Sequence, residues 1–532
     1  MDFIGKQPGK TTLISNGISS IKGNVLKRPD KVALRTESFS ETYAEMWQRC
    51  IKLANTLLDR GYKKGDLAVT YMSNCYQIVE MMIACEMIGM PLSYGNFRLT
   101  PEEIIYQIND CEAKIVFVLQ DQYDLIHPLM DRLPTVKELV LVGASTSNDP
   151  GVLKFEEMIA AGKSVDPQIE VEPEDIQNLF YTSGTTGKPK GAVRDAYCNY
   201  NLSVSTAIEL GINRDDSLFV AAPMYAAATV GYLYTTLMVG GTVCVAPAFI
   251  PEECMRLIDL FKNTFVFMVP IMYDWLFMLP PEVQAKYDLS SVKLAVSCGA
   301  PMHTHIFKKM RDGFKNALCV NMLGSSELGF VTSITAEEWL DKNKEGSVGK
   351  GIFDMDLKLV DLQGNDLPKG EVGLLYGRSP QTFNGYWKKT EGTEESFLDA
   401  QWATVGDMAR MDEEGYIYLV DRGKDMIVTG GTNVYPAEVE KVILQMEGIA
   451  DVGVIGVPDE KWGEQVKAIV VLKPGYQVSE EEIINFCRQS LAGFKTPKSV
   501  DYIDIIPRNA AGKMLKKDLR KPYWEGRDTF IS

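Results

Sequence analysis

Histidine is almost missing from this chain, with three in 532 residues. Two of them, His303 and His305, stand two apart, a spacing that on a helix turns them to different faces. A metal pair is therefore not expected, and a histidine-driven mechanism has little to work with. Paired cysteines are missing too. The ten cysteines (Cys50, Cys75, Cys85, Cys111, Cys198, Cys244, Cys254, Cys298, Cys319 and Cys487) are scattered without a C-x-x-C. That argues against a zinc site or a disulfide scaffold and suits reduced, mostly buried thiols in the cytoplasm. An excess of positive charge is also lacking. With 55 Lys+Arg against 71 Asp+Glu the formal charge is −16 and the pI about 4.9. A general nucleic-acid binder is disfavoured, although local lysines can still oppose that field around a small anion. Met1 to Gly9 has no apolar run of the kind a signal peptide needs. Leu218 to Ile250 contains no charged residue and on paper could span a bilayer. Pro223, Pro247 and the Gly240-Gly241 pair interrupt it, and no Lys/Arg cluster flanks it. A buried helix leading into a buried strand (Thr242 to Ala246) is the reading, with no integral membrane association.

What is present is regular α/β texture, in a length that suggests roughly three or four domain-sized units. Leu67 to Tyr71 reads as a strand and Gln77 to Ile88 as a helix apolar around much of its circumference, stopped by Gly89. Thr100-Pro101-Glu102-Glu103 is a capping box with proline in the first turn. Apolar strands follow at Lys114 to Leu119 and Glu138 to Gly143. The alternation predicts parallel sheets covered on both faces. It recurs over residues 195–330, with strands at Val292 to Ser297 and Ala317 to Met322. From Gly349 short strands alternate with Gly, Asp and Asn turns, which suggests a barrel-like β subdomain. The main boundary is expected near Asp421-Arg422-Gly423-Lys424, giving a large unit 1–421 and a small α+β unit 422–532. In the latter, Val439, Val442, Ile443 and Met446 fall at helical spacing, and Ser479 with Glu482 caps another helix.

The most informative stretch is Tyr181-Thr182-Ser183-Gly184-Thr185-Thr186-Gly187-Lys188-Pro189-Lys190-Gly191. Glycines that permit φ > 0, a run of hydroxyls and two lysines, following a strand, make a cradle for an anion. Walker A geometry fails, because Pro189 stands where a hydroxyl should follow Lys188. A G-x-S-x-G nucleophile elbow fails as well, since Ser183 lacks the first glycine. A plain turn would be shorter and would not carry paired lysines.

In this form the motif resembles the phosphate loop of the adenylate-forming superfamily: acyl-CoA synthetases, luciferases and peptide-synthetase adenylation domains. Further stretches match that superfamily in the same order. By resemblance, Thr182 to Lys188 and Lys190 hold the ATP phosphates, and Gly299-Ala300-Pro301 lines the adenine. In Gly324-Ser325-Ser326-Glu327, Ser326 contacts the α-phosphate and Glu327 holds Mg²⁺, a hard cation suited to a carboxylate. The family usually has an aromatic residue before this glycine; here it is Leu323. Asp407, within Thr404-Val405-Gly406-Asp407, and Arg422 resemble the ribose contacts, a carboxylate being able to accept from both hydroxyls. Lys424 resembles the hinge, Gly430 and Gly431 the glycines beside the CoA tunnel, and Lys513 the adenylation lysine carried by a mobile C-terminal domain. Lys513, Glu327 and Thr182 are thus the catalytic candidates.

The implied activity is two-step: a carboxylic acid and Mg·ATP give acyl-AMP and pyrophosphate, and the acyl group then passes to the CoA thiol. The acyl pocket is expected around Tyr225, Ala226, Ser297 and Cys298. Ala226 stands where many relatives carry a histidine or aromatic gate. The pocket reads as apolar, with no evident Arg or Lys for a second carboxylate, which points to a medium-chain or branched aliphatic acid or an aryl acid; crotonobetaine-like acids stay open. So do a carrier-protein phosphopantetheine as acceptor, a non-catalytic nucleotide-binding relative, a luciferase-type oxygenase and a homodimer.

Overall fold

The structure, a computed structural model, describes residues 16–144, 152–182, 189–361, 363–399, 401–422, 425–429, 432–459, 462–508 and 514–525. The packing divides the chain into two compact units. Of the described residues, one comprises the chain up to Thr182, Lys190–Leu357 and Gly377–Ala403; the other comprises Pro189, Lys358–Tyr376 and the chain from Thr404 onward.

Two large sheets form the first unit. In the eight-stranded sheet the order is Gly385–Tyr386, Lys190–Asp195, Ile176–Thr182, Leu92–Gly95, Ala68–Tyr71, Ile115–Val118, Glu138–Leu141 and Leu153–Lys154. In the nine-stranded sheet it is Lys350–Gly351, Gly329–Thr335, Leu318–Ser325, Leu294–Cys298, Phe265–Met268, Ser217–Val220, Thr242–Val245, Val32–Arg35 and Ser40–Thr42. The interior strands run parallel, and those at Ala68–Tyr71, Ile115–Val118 and Phe265–Met268 are buried at every residue. Continuous apolar runs of this kind belong to strands covered on both faces. Burying each large aliphatic or aromatic side chain is worth about 1.5–3 kcal/mol.

The eight-stranded sheet turns antiparallel at one end and the nine-stranded sheet at both, and the cause is connection length. A parallel crossover needs a dozen or more residues. Residues 183–189 between the Ile176 and Lys190 strands, and 326–328 between the Leu318 and Gly329 strands, are too few. Each pair therefore closes as an antiparallel hairpin. Both polar motifs thus lie between antiparallel strands.

The helix Gln77–Met87 is buried along its whole length, with Glu80 and Glu86 inside. Just before it, Asn74 Nδ2 donates to the carbonyls of Ala222 at 2.9 Å and Ala246 at 3.3 Å, and its Oδ1 accepts from Met224 N at 2.8 Å. This buried amide ties the exit of one sheet to the other and fixes the start of the Pro223–Ala226 segment. The charge-free stretch resolves as the helix Ala227–Val239 and the strand Thr242–Val245. Among the described residues no helix is long and apolar enough to cross a membrane.

In the second unit, the stretch after Gly349 forms a four-stranded sheet, with Asp407–Met411 antiparallel to Val372–Arg378 and to Ile417–Arg422. The C-terminal part is built on a long hairpin, Ile449–Asp459 against Gly463–Leu472, with Ser499–Tyr502 parallel to the latter. Val439, Ile443, Val452, Val454, Val470, Ile483 and Val500 make its core. The helix opened by Pro436 ends at Ile443, so Met446 lies in the turn that Gly448 (φ +91°) completes.

Candidate functional site

The phosphate-type motif is held by its flanks. Tyr181 pairs with Gly191 and Thr182 with Lys190 at the end of the hairpin. Tyr181 donates its phenolic O–H to Asp110 Oδ2 at 2.7 Å, and burial keeps that phenol far above its ordinary pKa. Asp110 also accepts from Lys389 Nζ at 3.2 Å, while its carbonyl accepts from the Trp387 indole at 3.1 Å. A Cβ on Gly191 would lie 3.2 Å from the Tyr181 ring, so glycine keeps the two strands close here. Ser183, Gly184, Thr185, Thr186, Gly187 and Lys188 lie outside the described residues.

From that base the arrangement leads to the acidic turn. The Lys190 ammonium lies 5.1 Å from the centre of the Tyr386 ring, a cation–π distance. Tyr386 donates its O–H to Glu327 Oε1 at 2.8 Å. Glu327 is buried, and its carbonyl accepts from Phe383 N at 2.7 Å. Gly324 permits the tight approach of the hairpin, since a Cβ there would meet the Gly329 carbonyl at 2.9 Å. Ser325 Oγ accepts from Leu328 N at 3.0 Å and stiffens the turn. The Ser326 carbonyl is held by Arg194 Nη1 at 3.1 Å. Gly299, at φ +90°, leaves the Leu294–Cys298 strand, and Ala300 and Pro301 follow it as exposed loop. Among the described residues no group of three His, Cys, Asp or Glu could hold a metal. One oriented carboxylate is nonetheless the donor set suited to a Mg²⁺ that takes its remaining ligands from phosphate and water.

Beside this turn is a cavity of about 210 Å³. Apolar lining comes from Met82, Phe180, Leu202, Ala226, Ala227, Ala228, Val230 and Phe330, and the Gly324–Ser326 turn and Gly299 bound it as well. Of the four residues expected around a pocket, Ala226 and Cys298 line it. Tyr225 packs its ring edgewise on Phe97, 5.9 Å between centroids. Ser297 is buried on the strand neighbouring Cys298, where side chains alternate between faces.

The cavity wall is less apolar than the sequence suggests, because Arg194 is part of it. This buried guanidinium donates to the carbonyls of Ser326 and Gln381 (2.8 Å) and, through Nε, to Asn199 Oδ1 at 2.9 Å. Asn199 Nδ2 donates to Gln177 Oε1 at 2.6 Å, Gln177 Nε2 to the Tyr234 hydroxyl at 3.1 Å, and Tyr234 to Glu86 Oε1 at 2.5 Å. Every donor points the same way, from the cation to the acid. Burial pushes the Glu86 carboxyl up to about 7, and burial likewise lowers Arg194 from its ordinary value.

In the second unit Asp407 is buried at the head of its strand and stands opposite Arg422 in the ladder. The two candidate ribose residues are thus cross-strand neighbours. Thr404 Oγ1 donates to the Leu375 carbonyl at 2.7 Å and accepts from Gly406 N at 2.9 Å, shaping the turn before Asp407. Lys424, Gly430, Gly431 and Lys513 lie outside the described residues. Their flanks are anchored: Asp425 accepts from Arg520 at 2.8 Å, Arg508 and Met514 pair as an antiparallel bridge, and Leu515 N donates to the Pro507 carbonyl at 2.9 Å.

Sequence reasoning missed Tyr386, Asp110 and the Arg194-to-Glu86 wall. Tyr386 sits on a two-residue strand with no periodicity, and the wall joins residues from four separate segments.

Comparison with known proteins adds the following. Residues 21–387 match the family model for AMP-binding enzyme, and 438–513 match the AMP-binding enzyme C-terminal domain. The chain is 32% identical over 499 residues to a feruloyl-CoA synthase of Amycolatopsis, covering 93% of this chain and 96% of that protein. It is 30% identical over 496 residues to a 2-succinylbenzoate–CoA ligase of Bacillus cytotoxicus, with 93% and 96% covered. The structure of o-succinylbenzoate CoA synthetase from Bacillus subtilis with its acyl-adenylate intermediate superposes with a TM-score of 0.80 at 26% identity, covering 96% of this chain and 99% of that one.

Proposed function

The chain belongs to the AMP-binding enzymes and is an AMP-forming acid–CoA ligase, and from that premise we propose which of its residues carry each half-reaction and which acids it takes. In the first half-reaction the acid's carboxylate, already anionic at neutral pH, attacks the α-phosphorus of ATP and expels pyrophosphate. No general base is required, so the task is placement and charge compensation. Thr182 to Lys188 and Lys190 hold the phosphates, Gly299-Ala300-Pro301 the adenine, and Asp407 with Arg422 the ribose. Glu327, oriented by Tyr386, would hold Mg²⁺, whose charge offsets that of the phosphates. Lys513 brings its ammonium to the carboxylate and α-phosphate. In the second half-reaction the small domain, 422–532, turns about Lys424, and Gly430 and Gly431 leave room for the CoA thiol. The sulfur attacks the acyl carbon, AMP leaves, and a thioester forms. Ten unpaired cysteines, nine of them buried, fit a cytoplasmic setting.

The observation that carries this assignment is the Lys190–Tyr386–Glu327 contact. It joins the phosphate motif to the acidic turn through one side chain. A compact apolar cavity and relatives whose names carry aryl acids favour an aryl acid over a long alkyl chain. ATP–pyrophosphate exchange across a panel of carboxylic acids, with CoA then added for the responders, tests the reading. Lys513→Ala should lower exchange by about 100-fold or more while a preformed acyl-adenylate still yields thioester. Exchange at full rate in that variant would overturn the role given to Lys513.

A further inference from the structure

Resting on the ligase reading, we propose that Ser203 selects acids that carry a single neutral oxygen substituent, hydroxyl or ether, on a body about the size of one aromatic ring. The inference starts from the cavity. An apolar cavity of about 150 Å³ accommodates benzene, so about 210 Å³ gives room for one ring and a small substituent. Met82, Phe180, Leu202, Val230 and Phe330 supply the apolar surface that such a ring would cover.

Ser203 breaks that surface. It lies on the helix Ala196–Leu210, one turn beyond Asn199, on the face that also brings Asn199 and Leu202 to the cavity. The residue is fully buried, yet its Oγ has no hydrogen-bond partner among the described residues. Buried hydroxyls are almost always paired, and leaving one unpaired is costly. The neighbouring polar groups are committed elsewhere: Asn199, Gln177 and Tyr234 bond to one another, and each nitrogen of Arg194 already donates. Two N–H groups of the guanidinium also remain, but they can only donate; Ser203 is the fully buried hydroxyl on this wall with no partner of its own, able to meet a ligand oxygen as donor or as acceptor.

The same wall argues against a second carboxylate. Arg194 is turned to the carbonyls of Ser326 and Gln381, and the donor chain runs from it towards Glu86, an acid rather than a cation. A buried charge without its own partner is strongly disfavoured. A neutral oxygen asks for one hydrogen bond, which Ser203 can make.

The test measures kcat/KM for pyrophosphate release with cinnamate, 4-hydroxycinnamate, 4-methoxycinnamate and 4-carboxycinnamate, alongside a broad panel of aliphatic and aryl acids. The wild-type enzyme should favour at least one of the two oxygenated acids over cinnamate by about tenfold or more, and should reject the dicarboxylate. In Ser203→Ala that preference should fall towards one, the oxygenated acid losing and cinnamate gaining. Ser203→Cys, similar in size and a poor hydrogen-bonder, gives the same comparison should the alanine variant not fold. A wild-type ratio near one, a ratio that survives both substitutions, or preferred use of the dicarboxylate overturns the inference. So does turnover of other acids in the panel but none of these four, an outcome that leaves the ligase reading standing. No pyrophosphate release with any acid would instead remove the ligase reading itself.

Discussion

Two arginines are drawn into the first unit and are accommodated in opposite ways. Arg49 meets carboxylates: it donates to both oxygens of Glu80 and to Glu156 at 2.9 and 3.0 Å, with Glu41 behind at 3.7 Å. Acid outnumbers base there, and the surplus is relieved by protonation, burial pushing Glu41 up to about 9 and Glu80 up to about 7. Arg194 meets no carboxylate directly. It donates to two backbone carbonyls and an amide, and three neutral side chains lead from it to Glu86. Around Arg49 charge balance shifts with pH, and neither Arg49 nor Glu41, Glu80 or Glu156 lines the cavity. Around Arg194, amides and carbonyls keep one hydrogen-bonded geometry beside the Ser326 turn. A buried hydrogen-bonded network of that kind specifies position more than it adds stability.

The sharpest way to break this contrast is to make the same change at both sites. Arg194→Lys loses the forked donor geometry and frees the Ser326 turn to move. A misplacement of about 1 Å near reacting groups can cost about 100-fold in rate, so kcat/KM for pyrophosphate exchange should fall by about that factor. Arg49→Lys should lower the melting temperature yet leave kcat/KM within about threefold, the usual margin for a site remote from the chemistry. Equal losses of activity in the two variants would end the distinction.

Tyr386→Phe sharpens it on the side of the reaction. The phenyl ring stays beneath Lys190, and only the hydrogen bond to Glu327 is removed. Loss of such an orienting partner costs about 10–100-fold in metal affinity or activity. About tenfold lower exchange is expected, partly restored by raising Mg²⁺. A loss that added Mg²⁺ does not touch would mean that Tyr386 supports the fold alone.

The contrast also marks what was legible in the sequence. Short-range chemistry was: the capping boxes at Thr100 and Ser479, the buried strands, and the ordered motifs from Thr182 to Asp407 depend on neighbours within a few positions. The hairpin geometry of the two motif loops was not read, although the shortness of the connections already implied it. The Arg194 wall was beyond reach for a different reason. Glu86, Gln177 and Tyr234 are each unremarkable locally, and Glu86 and Tyr234 stand 148 positions apart. Only the stacking of a buried helix between two sheets brings them together. Ala226, at the entry of a helix, and Cys298, at the end of a strand, reach the cavity, whereas their immediate neighbours Tyr225 and Ser297 do not line it.

The smallest effect expected belongs to Glu41 and is read by pH. Burial first, then repulsion from Glu80, holds its carboxyl at about 9 despite the opposing pull of Arg49; Glu45 and Glu156 add to the repulsion. In the unfolded chain a glutamate titrates near 4.3. Between those values the folded protein keeps a proton that the unfolded chain has released, so stability is greatest below about 4.3 and declines as pH rises towards 9. Glu80 and Glu86 act in the same direction, but with carboxyls at about 7 their contributions run out about one pH unit above that. Among the described buried carboxyls, Glu41 therefore dominates the upper part of the range from pH 7 to 9. Over that range Glu41 should lower wild-type stability by about 1–2 kcal/mol, below the limit of about 1.4 kcal/mol per unit because Glu80 and Arg49 adjust with it, on top of the fall set by the buried thiols, which burial keeps protonated while unfolded cysteines ionise near about 8.5. Glu41→Gln keeps the volume and removes the proton, so urea unfolding at pH 7, 8 and 9 should give a shallower line than the wild type, the remaining slope coming from the buried thiols. Parallel slopes in the two proteins would show that the surplus acid beside Arg49 is ionised after all, and that the two arginines are accommodated alike.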